Sequence, residues 1–349
     1  RDPAILVPSG TSSEPRLAAV EFDRAAAAIP WEERRILDFP LWSSFPQRVH
    51  EAAGPLIGEM TVDELWPAAI AHGAASGLIG AALVQARCDL ERTWGCDNIE
   101  LSQSRVCQSQ GFRWFTCALL ADAPRLAAAY NGALAAYRQA HRIRNHAHPM
   151  PNLASVGPWQ EVPLWTWTPA APRRRPLFVR PTAGGLLVSD RQGWEAVLPL
   201  GTGDDPQNAV DELARWEAAG VKLRSRALMT TMFIRLALAD VFLHGIGGAK
   251  YDEATNEIGC RLFGAAPPAF ATASGTLRPP IARDVAPQAP RTIRVQLRRA
   301  TYHPEQQIDY AALGASEREV AERQAAEKRR WVQLAKTPDN AAGRQIGRA

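Results

Sequence analysis

No stretch of this chain approaches the ~18 consecutive apolar residues of a membrane-spanning helix, and no charged-apolar-small leader opens it. Cysteine is scarce and odd in number, five among 349 residues, which argues against a disulfide framework and for a reducing, cytoplasmic setting. The cysteines do not suit zinc either. Cys88, Cys96, Cys107 and Cys117 are separated by seven, ten and nine residues, whereas a zinc knuckle needs two ligands a few residues apart. The sequence has no Gly-x-Ser-x-Gly elbow and no His-Glu-x-x-His pair, so the commonest hydrolase and metalloprotease signals are missing. His146 and His148, two apart in a basic segment, lack a neighbouring carboxylate to complete a metal set, and a solvated loop is the expected reading.

What is present reads as a folded protein. Hydrophobic residues make up 46% and charged residues 22%, a globular composition that can bury a large core. The net charge of +4 is concentrated at one end: 12 basic and 7 acidic residues lie from Arg291 to Ala349, against 28 and 29 before them. Signs alternate through Glu317 to Arg330, as on a solvated helix, and no RNA-binding motif accompanies the excess. Nucleic acid and membrane are therefore not expected partners. A homodimer through this C-terminal helix stays open.

Periodicity divides the chain. Ala4-Ile-Leu-Val7 reads as a buried strand followed by a hydroxyl-rich loop with Thr11, Ser12 and Ser13, and the Ala-rich segment Arg16 to Ile29 reads as a helix. Thr61 to Arg92 is strongly helical, with a capping-box-like Thr61-Val-Asp-Glu64 start and small residues through its middle. Asp122-Ala-Pro124 starts another helix. Short apolar or alternating runs between Trp159 and Leu200, divided by Pro and Gly, read as a small antiparallel sheet. Pro206 to Ala219 and Leu228 to Leu238 return to helix, Pro267 to Pro290 is a proline-rich linker, and Leu313 to Leu334 closes as a helix. Cys107 sits in a polar segment, near Ser104 and Arg105, that can line a pocket.

The most informative tract is Asp240-Val-Phe-Leu-His-Gly-Ile-Gly-Gly-Ala-Lys-Tyr-Asp252. Val241, Phe242 and Leu243 read as the end of a buried strand that runs into Gly245, Gly247 and Gly248, residues free to take unusual backbone angles. A helical pattern resumes at Tyr251, so the glycines would lie at a helix N-terminus, where free N–H groups suit a carboxylate or phosphate. The spacing is neither a Walker loop nor a dinucleotide fingerprint. His244, Lys250, Tyr251 and Asp252 decorate a turn that needs only its glycines, which marks them as ligand-binding candidates. A plain tight connection is the competing reading.

Between about Leu223 and Pro268, Arg226-Ala-Leu-Met, His244-Gly-Ile-Gly-Gly-Ala-Lys-Tyr251, Leu262-Phe-Gly264 and Pro267-Pro268 occur in an order that resembles the bacillithiol-biosynthesis cysteine-adding enzyme family. That family carries Thr-Arg-Pro-Leu-Met, Gly-Gly-Pro-Gly-Glu, Ala-Tyr, Phe-Gly and Pro-Pro in the same order. This chain lacks the Pro-Gly-Glu and has no counterpart of the family's N-terminal Gly-Gln-Gln turn. It opens at Arg1 without Met, which leaves room for a strand and ligand loop upstream.

The resemblance implies an α/β fold: a Rossmann-like core from residues 1–60 and 201–290, a helical insertion at 61–150, a small β subdomain at 151–200 and a C-terminal helical arm at 291–349. It further implies a ligase-like enzyme joining an amino acid, cysteine being one option, or an amine to a small-molecule acceptor, with a nucleotide or phosphate at the turn. Arg226, His244, Lys250 and Tyr251 are expected to converge on that anion. A binding or scaffold protein that keeps the fold without chemistry is the alternative.

Overall fold

Of the segment Arg16 to Ile29 expected as a helix, residues 16–21 form a strand, while 25–27 of its alanine run lie outside the described residues. In the computed structural model, which describes residues 4–10, 15–24, 28–54, 56–201, 205–276 and 290–336, β1 (Ala4–Gly10) and β2 (Pro15–Glu21) form an antiparallel hairpin. Alanine favours helix, but Ala18, Val20 and Phe22 recur at every second position and face the interior, and that period of two decides the element once a partner strand is present. The first strand is less buried than its apolar composition implies: of its four-residue run only Val7 is buried. Thr11, Ser12 and Ser13 lie outside the described residues, as does 277–289 of the proline-rich linker.

Four helices follow: α1 (Phe39–Ser43), α2 (Phe45–Ala53), α3 (Thr61–Ser76) and α4 (Ile79–Thr93). The helical run expected from 61 to 92 is broken at Gly77, whose φ of +66° ends α3 in the left-handed region that glycine tolerates. Thr61 lies inside the helix, and the residue before it, Met60, makes no side-chain cap bond. The small residues of α3 and α4 do let partners approach closely, since a Cβ on Gly73 would crowd the Trp42 indole and one on Gly80 would meet Trp31. Hairpin and helices enclose one apolar cluster around Phe22, Trp42, Phe45 and Trp66. The N-terminal segment expected to share a core with 201–290 thus buries its apolar residues among its own helices.

A second, larger cluster gathers buried residues between Cys107 and Ile258. Three helices, α5 (Gln103–Gln108), α6 (Gln110–Leu120) and α7 (Ala123–Ala140), start at Ser102, Ser109 and Asp122, each of which accepts a backbone N–H of the first turn, as N-caps do. They lead into a sheet of β3 (Ser155–Val156), β4 (Trp159–Thr168), β5 (Ala171–Thr182), β6 (Gly185–Ser189) and β7 (Glu195–Leu198). After α8 (Gln207–Ala218), β8 (Lys222–Ser225) returns to pair with β4. The sheet has six strands in the order β3-β4-β5-β6-β7, with β8 beside β4, and every pairing is antiparallel. It is larger than the small sheet expected, because β8 lies beyond Leu200.

The fold is mixed α/β, but its main sheet is not the parallel sheet of a Rossmann-like core. Among the described residues, parallel pairing is confined to one unit: α9 (Ala227–Ala237) leads to β9 (Phe242–Gly245), α10 (Ile246–Phe263) crosses over, and β10 (Phe270–Ala273) pairs parallel with β9. Contacts divide the chain into two units, Arg1–Ile281 and Ala282–Ala349. The second contains α11 (Pro290–Tyr302) and α12 (Ala315–Lys336). No helix among the described residues is long and apolar enough to cross a membrane.

Candidate functional site

The βαβ unit places the glycine-rich tract at the C-terminal end of β9, where ligands of α/β sheets commonly bind. Helix α10 begins earlier than the sequence pattern suggests, at Ile246, so Gly247 and Gly248 lie in its first turn and Gly245 is its N-cap. Gly245 has φ −68° and ψ 161°, extended angles open to any residue, and neither Gly247 nor Gly248 has a positive φ. The expectation that these glycines supply unusual backbone angles is corrected. No side chain caps this helix, which leaves its first amides without a side-chain acceptor. The strand before it is also not buried: Val241 is 75% and Leu243 65% exposed.

Asp252, one and a half turns into α10, points inward and organises the unit. Its Oδ1 accepts from the Thr231 hydroxyl at 2.6 Å, and its Oδ2 accepts from Arg235 Nη1 at 2.6 Å and meets His244 Nε2 at 3.1 Å. Arg235 continues to Asn256 Oδ1 at 2.7 Å and to the Pro268 carbonyl at 2.8 Å, and lies 4.9 Å from the Phe270 ring centre. The side chains of Arg235 and Asp252 are 1% and 2% exposed. Burial pushes the Asp252 carboxyl upward, but the hydroxyls of Thr231 and Thr255, the Arg235 charge and His244 outweigh it and hold it below the ordinary value of 3.8. The carboxylate is therefore ionised at neutral pH, since charge-assisted hydrogen bonds from several donors offset desolvation.

An ionised Asp252 accepts and cannot donate, so His244 Nε2 carries the hydrogen between them. The imidazole is held edge-on between Phe242 and Phe270, at centroid distances of 4.6 and 5.2 Å. Its other nitrogen, Nδ1, makes no hydrogen bond among the described residues and faces Gly248, where an added Cβ would overlap it and lie 3.1 Å from Cε1. Gly248 is thus needed for close approach to a side chain.

A contrast between neighbouring glycines follows. Nothing lies within 4 Å of a Cβ built on Gly247, so Gly247→Ala should stabilise by ~0.5–1 kcal/mol through helix propensity. Gly248→Ala gains the same propensity but overpacks His244 at a cost of ~1–3 kcal/mol, so its net effect should be destabilising. Urea denaturation of the two variants measures both signs, and equal midpoints would contradict the His244 placement.

The structure brings only part of the expected site together. His244, Gly248 and Asp252 meet. Arg226, the N-cap of α9, is spent elsewhere: its Nη2 donates to Glu161 Oε1 at 2.6 Å and its guanidinium lies 4.2 Å from the Trp165 ring centre. Lys250 is exposed and makes no ion pair among the described residues. Tyr251 packs against the larger core and meets the His148 ring edge-on. Arg235 and Thr231 were not singled out from the sequence. One available signal was a lone arginine inside the apolar run Met232-Phe-Ile-Arg-Leu-Ala-Leu238, with Thr231 one turn before it.

Cys107 is buried beside Ser225, its Sγ 3.7 Å from the hydroxyl. Burial raises its thiol, the Ser225 hydrogen bonds only partly opposing this, so little nucleophilic thiolate forms. All five cysteines are free thiols. His146 and His148 lie in a loop whose carbonyls accept from Arg138. Among the described residues no group of three or more His, Cys, Asp or Glu could hold a metal ion. A scan of protein-family models and a search of curated proteins found no match to this chain.

Acid should weaken the fold through Asp252, Glu217 and Asp190. Glu217, which accepts from Arg224 and Lys222, and Asp190, which accepts from backbone amides and Arg175, are also held low despite burial. A carboxyl depressed in the folded state contributes stability above its unfolded value and loses it as pH falls through its folded value. The urea midpoint should stay level from neutral pH to about 5 and drop below about pH 4. A midpoint unchanged at about pH 3 would contradict these assignments.

Proposed function

We propose that this chain is a ligase-like small-molecule enzyme whose substrate places a carboxylate or phosphate at the first turn of α10, beside His244. The observation that carries the proposal is His244 itself: an imidazole locked by Asp252 on one nitrogen, with the other unbonded, at the end of a parallel strand and beside uncapped helix amides. Lys250, just beyond that turn, is exposed and is the cation this reading assigns to the anion. The β9–α10–β10 unit fits one segment of a Rossmann-like core, and the free thiols fit a cytoplasmic setting. The small-molecule acceptor, a nucleotide and a second copy docking through α12 remain proposals of the same kind.

A thermal-shift screen of the whole chain against nucleotides, inorganic phosphate, amino acids and thiols tests this reading. A ligand bound only by the folded state raises the melting temperature by mass action, by ~2.7 kcal/mol of stabilisation at a hundred times its Kd. Lys250→Ala should abolish most of the gain while leaving the unliganded melting temperature unchanged. A gain equal in both proteins would place the anion elsewhere, and no gain with any ligand would favour the scaffold reading. The pairing of Arg226 Nη2 with Glu161, away from the turn, is the observation that favours that second reading.

A further inference from the structure

We infer that His244 is an acid–base residue that exchanges a proton through Nδ1, with Asp252 as its positioning residue and Arg235 and Thr231 holding Asp252 in place. The inference rests on the proposed ligand site, and it adds the chemistry done there. Three features of the geometry support it together. Asp252 uses Oδ2 to hold Nε2, so the hydrogen of the neutral ring stays on that side and the lone pair stays on Nδ1. Thr231 on Oδ1 and Arg235 on Oδ2 leave the carboxylate no freedom to turn away. Phe242 and Phe270 hold the ring plane, while a glycine lies opposite Nδ1 where any other residue would cover it.

The charged groups facing this imidazole are Asp252 from α10 and, behind it, Arg235 from α9; β10 contributes only the Phe270 ring. The step is a single proton transfer. An ammonium or hydroxyl of the substrate loses its proton to Nδ1, the N–H or O–H bond breaks, and the electron pair stays on the substrate nitrogen or oxygen. The product is an imidazolium whose Nε2–H still donates to Asp252. The reverse transfer returns the proton to a leaving group, as general acid–base residues do.

Two measurements on the ligand-free full chain test the inference. With ¹⁵N-labelled histidine, long-range correlation spectra at about pH 8 should show His244 as the Nε2–H tautomer with Nδ1 bare. Carbethoxylation by diethylpyrocarbonate, mapped by mass spectrometry, should modify His244 although it is 12% exposed. In Gly248→Ala the rate at His244 should fall about tenfold or more while exposed His146 serves as the internal reference. The Nδ1–H tautomer, an unreactive His244 in the parent protein, or an unchanged rate in Gly248→Ala would each overturn the inference. The spectrum of the parent protein needs no variant to fold. Failure of the ligand screen, with these two results as expected, would overturn the proposed function instead.

Discussion

Arg235→Ala is expected to destabilise the chain by ~3–5 kcal/mol, the cost of leaving one partner of a buried ion pair uncompensated. Three losses coincide at this side chain. Asp252 keeps its charge in a buried setting with only Thr231, Thr255 and His244 to solvate it, the carbonyls of Pro267 and Pro268 lose their donor, and Phe270 loses the guanidinium above its ring. The effect should concentrate in the βαβ unit, since Arg235 ties α9 to α10 and to the segment that enters β10. Hydrogen exchange would then rise first in α10, and a urea midpoint within ~0.5 kcal/mol of the parent would refute the role given to Arg235. Arg235→Lys should recover little. An ammonium cannot reach Asp252, Asn256 and Pro268 together as a planar guanidinium does.

Trp66→Ala is expected to cost a similar ~3–5 kcal/mol, but in the other cluster. Its ring lies 4.2 Å from that of Phe45 and 4.7 Å from that of Trp42, and its Nε1 donates to the Trp42 carbonyl at 2.7 Å. Removing it empties the centre of the N-terminal cluster and takes the indole donor from the Trp42 carbonyl. The cavity term dominates, because a neutral hydrogen bond contributes only ~1 kcal/mol net. Trp66→Phe should therefore recover more than half of the loss. Among the described residues, Arg224 to Glu32 at 3.0 Å and Trp167 Nε1 to Glu33 at 3.2 Å link the clusters. If they couple the clusters strongly, tryptophan fluorescence and far-ultraviolet circular dichroism will report one shared transition. Separate transitions would show that each cluster melts by itself.

The sequence by itself determined the mixed class, most helices and the tract worth attention. Local signals sufficed there: Asp122 before Pro124 starts α7, apolar residues at helical spacing mark α9, and glycine and proline divide the strands of the main sheet. Polar residues clustered on a glycine-rich strand-to-helix junction drew attention to His244 and Asp252 among others, and these two meet in the structure. Pairing was legible only in part. The antiparallel strands between Trp159 and Leu200 were expected, but residues 16–21 became a strand because β1 lies beside them, and the return of β8 to β4 from beyond Leu200 was not foreseen. Tertiary structure also decided which candidates meet, since Arg226 found Glu161 while Asp252 found Arg235, Thr231 and His244. The physical reason is the same in each case. A buried charge must be matched by whichever opposite charge and hydrogen-bond donors the folded chain brings within about 3 Å, and distance along the sequence does not say which those will be.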